Sequence, residues 1–194
     1  KILMHVSNFR PVKRVTDVVR VFKKVLEQIP ARLIMIGDGP ERLSAAGVAK
    51  QLGISDKILY LGNCENIEEL LPCADILIQP SEHESFGLVP LEAMACEVPV
   101  IVTNSGGITE VVIHGENGFL CEVGDIEAMA VYALQVLRET KRAGEMGSRA
   151  RAHVTEHFPR DLIVGQYETL YAEILDRRAR QVCREGCFPD LHGI

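Results

Sequence analysis

The sequence predicts an α/β fold: a doubly wound parallel sheet of about six strands, followed by C-terminal helices. Short apolar runs alternate with amphipathic stretches as far as Cys121. Those runs are continuously apolar rather than alternating, as in a sheet covered on both faces. From Asp125 onward the pattern is wholly helical.

Taken in order, residues 1–6 read as a strand, and residues 15–26 as a helix with Val15, Val18, Val19, Phe22 and Leu26 on one face. A strand over 32–36 leads to a helix over about 41–52. A third strand follows at 58–61, a short helix at 67–71 and a fourth strand at 75–79. Then come a helix after Phe86, a strand over 98–103, a short helix near Thr109 and a strand over 119–121. Such alternation builds parallel strands with right-handed crossovers. Beyond them, Met129, Ala133, Val136 and Leu137 form one helical face, and Leu162, Ile163, Tyr167, Leu170, Tyr171 and Ile174 another, with a break at Phe158-Pro159. From about Asp176 the period fades. The expected organisation is therefore one domain over 1–175 and a tail over 176–194, disordered or foreign to the domain. The chain opens inside a strand-like run, so the expectation is a fragment whose preceding half is absent.

At 194 residues the chain can bury a sizeable core, and 47% hydrophobic with 25% charged residues is ordinary for a globular protein. A net charge of -6 argues against a general nucleic-acid or anionic-membrane binder. No apolar stretch approaches the roughly 20 residues of a membrane span. Cys64, Cys73, Cys96 and Cys121 lie singly among apolar residues, as reduced thiols do in cytoplasmic proteins. Cys183 and Cys187, with His192 nearby, match no standard zinc spacing, and no metal site is expected.

The chemistry concentrates around Glu84 and Glu92, which are separated by seven residues. They bracket a turn between an apolar strand and a helix. The backbone amides of Ser85, Phe86, Gly87 and Leu88 lie between them at the helix N-terminus, where an anion such as a diphosphate is favoured. In a sheet of order 3-2-1-4-5-6 the ligand crevice opens at the carboxyl ends of strands 1 and 4. That rule sets the loop Ser7-Asn8-Phe9-Arg10-Pro11-Val12-Lys13-Arg14 beside the loop carrying Glu84. Arg10 and Lys13 can neutralise a diphosphate there, or else merely form a solvated helix start; Arg14 is expected at the surface. Gly37-Asp38-Gly39-Pro40 after strand 2 is either a tight turn or a place where glycine gives way to a nucleotide. Asn63 and Cys64 after strand 3 could meet a base edge. The loop Asn104-Ser105-Gly106-Gly107 is either plain or able to approach a ligand by its backbone. His83 reads as structural.

These residues together resemble the C-terminal, donor-binding domain of the GT-B glycosyltransferases of family 4 (group 1). The likeness covers residues 2–175 and rests on Glu84-x7-Glu92, on Gly37-Asp38-Gly39-Pro40, on the Lys13 loop and on Gly106-Gly107-Ile108-Thr109-Glu110. Residues 5–14 are similar to the bacillithiol-pathway branch of that family, the N-acetylglucosaminyl L-malate synthases. The resemblance implies a Rossmann-like domain of a metal-independent, cofactor-free, retaining enzyme that moves a sugar from a nucleotide diphosphate, with UDP-N-acetylglucosamine as donor. It makes Lys13, Arg10 and Glu84 the catalytic set. It gives Ser7, Asn8, Gly37, Asn63, Cys64, Ser85, Phe86, Gly87, Leu88 and Glu92 to the donor, Glu84 meeting sugar hydroxyls and Glu92 those of the ribose. Many relatives carry Gly-Arg-Leu where this chain has Ser7-Asn8-Phe9, so Arg10 stands in for the usual arginine. The partner implied is an N-terminal acceptor domain. The last helix would return toward that domain, and the uncovered cleft face makes a homodimer an expectation.

A glycoside hydrolase would also use two carboxylates, flanking one bond at about 5 Å or about 6.5–9.5 Å, but it needs no anion pocket. A nucleotide- or sugar-binding module without catalysis remains the other reading for the isolated chain.

Overall fold

The computed structural model describes residues 1–185. Six parallel strands form one sheet in the order β3-β2-β1-β4-β5-β6. They are β1 (Ile2–Val6), β2 (Arg32–Ile36), β3 (Ile58–Gly62), β4 (Ile76–Gln79), β5 (Val100–Thr103) and β6 (Phe119–Cys121). The crossovers carry α1 (Val15–Leu26), α2 (Arg42–Gln51), the single turn α3 (Ile67–Leu70) and α4 (Leu88–Ala95). Beyond β6 lie α5 (Ile126–Arg138), α6 (Thr140–His157) and α7 (Arg160–Glu185). The doubly wound topology is the one the alternating pattern predicts, and the order reverses between β1 and β4.

The central strands β4 and β5 are buried at every residue, which is why they read as unbroken apolar runs. One face packs under α1 and α5, with Leu3, Phe22, Val25, Leu33, Ile76, Ile101, Ala133 and Leu137 in a single cluster. Opposite-face residues Met4, Leu77 and Val102 are equally buried. The edge strand β3 departs from the two-sided expectation. Its Leu59 and Leu61 are exposed, because no seventh strand or helix covers that side among the described residues.

Backbone chemistry trims two elements. Residues 98 and 99 are not in β5: the Val98 N–H closes a turn on the Ala93 carbonyl, Pro99 has no N–H to give, and Glu97 sits at φ 61°. The helix expected straight after Phe86 begins at Leu88, because Gly87 takes a left-handed φ of 91° as its cap.

The chain divides into two units, one over Lys1–Thr155 and one beginning at Glu156. The second is dominated by α7, which runs through the boundary expected at residue 176. Arg177 and Arg180 pair one turn back with Glu173 and Asp176, supporting the helix where the apolar period fades. Leu162, Tyr167, Leu170, Tyr171 and Ile174, read from sequence as a packing face, are exposed. Of the tail expected over 176–194, residues 186–194 lie outside the described residues. No helix among the described residues is long and apolar enough to cross a membrane.

Candidate functional site

The reversal between β1 and β4 opens a cleft of about 340 Å³ at the carboxyl ends of these strands. It is lined by residues 6–8, Lys13, Gln79 and residues 84–90. This is the junction the switch-point rule selects. The two loops are tied together by the Glu82 N–H, which donates to the Val12 carbonyl at 2.7 Å.

Each loop is held by local chemistry. On the β1 side, Phe9 is fully buried at φ 34°, anchoring the chain before a 3-10 turn over Pro11–Lys13. Arg14 follows at φ 48°. Its guanidinium, 32% exposed, and that of Arg20 both pair with Asp17, a residue 3% exposed at the start of α1. On the β4 side, the Gly107 N–H donates to the Glu84 carbonyl at 3.0 Å and the Ser105 hydroxyl donates to the Glu82 carbonyl at 2.8 Å. The Thr103 hydroxyl donates to the buried Ser81 carbonyl. Glycine is required where these loops meet. A Cβ on Gly106 would sit 2.1 Å from the Glu84 carbonyl oxygen, and one on Gly107 2.2 Å from that of Ser85. The close backbone approach made by this loop is to the Glu84 segment of the protein, and residues 104–107 are not among those lining the cleft.

At the centre of the cleft, Lys13 Nζ lies 2.7 Å from Glu84 Oε2, their side chains 19% and 16% exposed. A lysine and a glutamate brought together across 71 residues of sequence are thus a charged pair on the lining of this cleft. Beside them α4 presents its first amides, with Gly87 as cap and no side chain filling the position. Ser7, Asn8, Ser85, Phe86, Gly87 and Leu88 all line this cleft, as expected.

Other expected residues lie elsewhere. Glu92 is on the fifth residue of α4, outside the cleft lining; its Oε2 is buried without a hydrogen-bond partner among the described residues. Burial, with the Glu68 carboxylate adding to it, pushes the Glu92 carboxyl above the usual carboxylate range. Arg10 is exposed and is not among the lining residues, so Lys13 alone supplies the cation in this conformation. Gly37 yields to protein rather than to the cleft: a Cβ there would meet the Ser7 carbonyl oxygen at 1.8 Å. It thereby lets the β1 and β2 loops touch. Asn63 and Cys64 follow β3 at the sheet edge, away from the lining residues, with the Cys64 thiol 3.9 Å from the Gly62 carbonyl.

Two residues at the cleft escaped the sequence reading. His5, fully buried in β1, lies behind the lining and is bonded to Ser7, and Gln79, 3% exposed, ends β4 among the lining residues. Their signal was a polar residue inside an otherwise apolar strand. Among the described residues, no group of three or more His, Cys, Asp and Glu could hold a metal ion. The Cys183 side chain, Cys187 and His192 lie outside the described residues.

The six-stranded parallel sheet with its flanking helices matches the Rossmann-like fold of GT-B glycosyltransferases. Residues 1–153 match the family described as glycosyl transferases group 1, and the chain belongs to it. Over 175 residues it is 50% identical to N-acetyl-alpha-D-glucosaminyl L-malate synthase of Bacillus anthracis, spanning 90% of this chain and 46% of that protein. Among solved structures, the sucrose-phosphate synthase of Thermosynechococcus elongatus superposes with a TM-score of 0.83 at 28% identity, over 91% of this chain and 46% of that one. Anabaena HepE in complex with UDP-glucose gives 0.81 at 27% identity, over 88% and 48%. The chain thus spans about half the length of the relatives it matches.

Proposed function

We propose that this chain is the donor-binding half of a metal-independent, retaining glycosyltransferase that takes N-acetylglucosamine from UDP-N-acetylglucosamine, with L-malate as acceptor. The acceptor belongs to an N-terminal domain outside the chain, and the chain alone is inactive. The observation that carries this reading is the Lys13–Glu84 pair, set at 2.7 Å in the switch-point cleft beside the open N-terminus of α4. A diphosphate replaces Glu84 as the partner of Lys13, and the α4 amides share its charge. Glu84, so released, accepts from donor-sugar hydroxyls. In the reaction Lys13 stabilises the charge that grows on the leaving diphosphate. Glu92 accepts from the ribose hydroxyls, whose pairing answers its buried oxygen. The name of the Bacillus anthracis relative supports the donor and acceptor, and the UDP-glucose complex of the Anabaena protein supports the donor class. The enzyme acts in the cytoplasm, where sugar nucleotides are made.

Calorimetric titration with UDP, UDP-N-acetylglucosamine, GDP and NAD, without metal and then with magnesium, tests the reading. UDP binds without metal, and Lys13→Ala weakens UDP about tenfold while leaving uridine unchanged, as loss of a charge-assisted contact predicts. Equal affinity of wild type for uridine and UDP removes the diphosphate assignment, and binding of NAD alone removes the donor class.

A further inference from the structure

His5 has two different neighbours: its Nδ1 lies 2.9 Å from the Ile78 carbonyl oxygen and its Nε2 2.8 Å from the Ser7 hydroxyl. A carbonyl can only accept, so Nδ1 carries the proton. Complete burial keeps the ring neutral, its pKa pushed down to about 4 by desolvation against the opposing pull of the Ile78 bond. Nε2 then offers a lone pair, and the Ser7 hydroxyl must donate to it. The Phe9 N–H, 3.3 Å from the same oxygen, takes one of the two Ser7 lone pairs. On the cleft wall, Ser7 Oγ is left with one lone pair and no proton. Beneath the same cleft, Gln79 holds a buried amide oxygen with no partner among the described residues. The Ser7 hydroxyl therefore faces the cleft as an acceptor only.

Phosphate oxygens also only accept, so Ser7 Oγ cannot satisfy them. We infer that Ser7, fixed by His5 as a one-way acceptor, reads a hydroxyl of the transferred sugar and not the diphosphate, with His5 as its positioning residue. This rests on the sugar-nucleotide reading above and names the part of the donor that the β1 wall selects. Cation and acceptor then divide the cleft between them: Lys13 takes the anion, and the Ser7 wall takes the glycosyl group.

The experiment is calorimetric titration of wild type, Ser7→Ala and His5→Asn with UDP, with UDP-N-acetylglucosamine, and with the donor's 3-, 4- and 6-deoxy and deoxyfluoro analogues. Ser7→Ala leaves UDP within about twofold and weakens the full donor about 5–10-fold, the scale of one hydrogen bond. At one hydroxyl position the deoxy and fluoro analogues lose equally in wild type, because fluorine cannot donate, and neither loses further in Ser7→Ala. His5→Asn keeps a donor for the Ile78 carbonyl but removes the acceptor for Ser7. The freed hydroxyl then donates to fluorine, and the fluoro analogue binds more tightly than the deoxy one; a merely structural His5 would leave them equal. The inference is overturned if the fluoro analogue matches the parent in wild type, or if Ser7→Ala weakens UDP as much as the full donor. A wild type that binds UDP yet ignores every hydroxyl change overturns this inference alone, whereas one that binds neither UDP nor the donor overturns the underlying reading with it.

Discussion

Gly107→Ala isolates the loop geometry that holds Glu84 in the cleft. Gly107 is free of left-handed strain, so the cost of a methyl group there is steric. Its Cβ would stand 2.2 Å from the Ser85 carbonyl oxygen and 3.3 Å from the Phe86 Cα, and both are backbone atoms that cannot rotate away. Relief to an ordinary contact moves the Glu84–Ser85 segment by about 1 Å, against well-packed surroundings that charge about 1–3 kcal/mol for overpacking. The same shift takes the Lys13–Glu84 contact of 2.7 Å out of hydrogen-bond range. Misplacement on that scale costs on the order of 100-fold in a positioned site, so UDP-N-acetylglucosamine affinity, read by calorimetry, falls at least tenfold. Gly147→Ala is the matched control. Its Cβ would meet the Glu97 carbonyl oxygen at 2.1 Å, on α6 and remote from the cleft-lining residues. Thermal denaturation shows comparable destabilisation for the two variants, while affinity falls in Gly107→Ala alone. Wild-type affinity in Gly107→Ala, or an equal loss in both, refutes the argument.

Three further outcomes follow from buried charge. His5 has a folded pKa of about 4 against 6.5 when unfolded, so the unfolded chain binds the extra proton; stability is full above pH 6.5 and falls by about 3 kcal/mol as pH drops to 4. Urea melts of wild type against His5→Asn across that window show this slope in wild type only; parallel slopes contradict it. Glu92 shows the opposite sign: its carboxyl is raised, so the charge costs stability as pH rises through its folded pKa. Glu92→Gln therefore melts higher at pH 7 but not at pH 3.5, while its UDP affinity falls; a lower melting point at pH 7 would count against the desolvated carboxylate. Asp17→Asn strips the partner from Arg14 and Arg20 and costs about 1–3 kcal/mol, lowering Tm by roughly 5 °C; no change in Tm would mean the ion pairs are idle.

Periodicity made most of the scaffold legible. The bounds of α1, β2 and β6 follow from the apolar pattern because each is closed by a residue that cannot continue it or by a change of period. The strand order then located the cleft, since loop chemistry at a switch point is dictated by topology rather than by any motif. Legibility failed where direction mattered. Glu84 and Glu92 share one motif, but the left-handed turn at Gly87 sends the first carboxylate into the cleft and leaves the second on the flank of α4. Arg10 and Lys13 are equally basic, yet the 3-10 turn between them points only Lys13 at Glu84. The run after Asp176 lost its apolar period and was read as a tail, whereas its charges pair at helical spacing and sustain α7. His5 was hidden because a pattern of apolar burial has no symbol for a polar ring whose hydrogen bonds are satisfied within the sheet.

The paired state of Lys13 and Glu84 sets what kind of ligand the cleft rewards. Both side chains are largely buried, so a ligand that separates them must satisfy each, or leave one desolvated charge alone. On the proposed reading a nucleoside diphosphate answers Lys13 but, with its ribose hydroxyls taken by Glu92, offers Glu84 nothing. A free sugar answers Glu84 but leaves Lys13 without an anion. Only a nucleoside diphosphate that carries a second, hydroxyl-bearing sugar beyond its phosphates replaces both halves of the pair at once. Its affinity then exceeds what its fragments, measured separately, would add up to. On the proposed reading the ion pair is in this sense a test of connectivity: it discriminates an intact sugar-nucleotide from the bare nucleoside diphosphate, and it weakens the hold on the latter once the sugar has left.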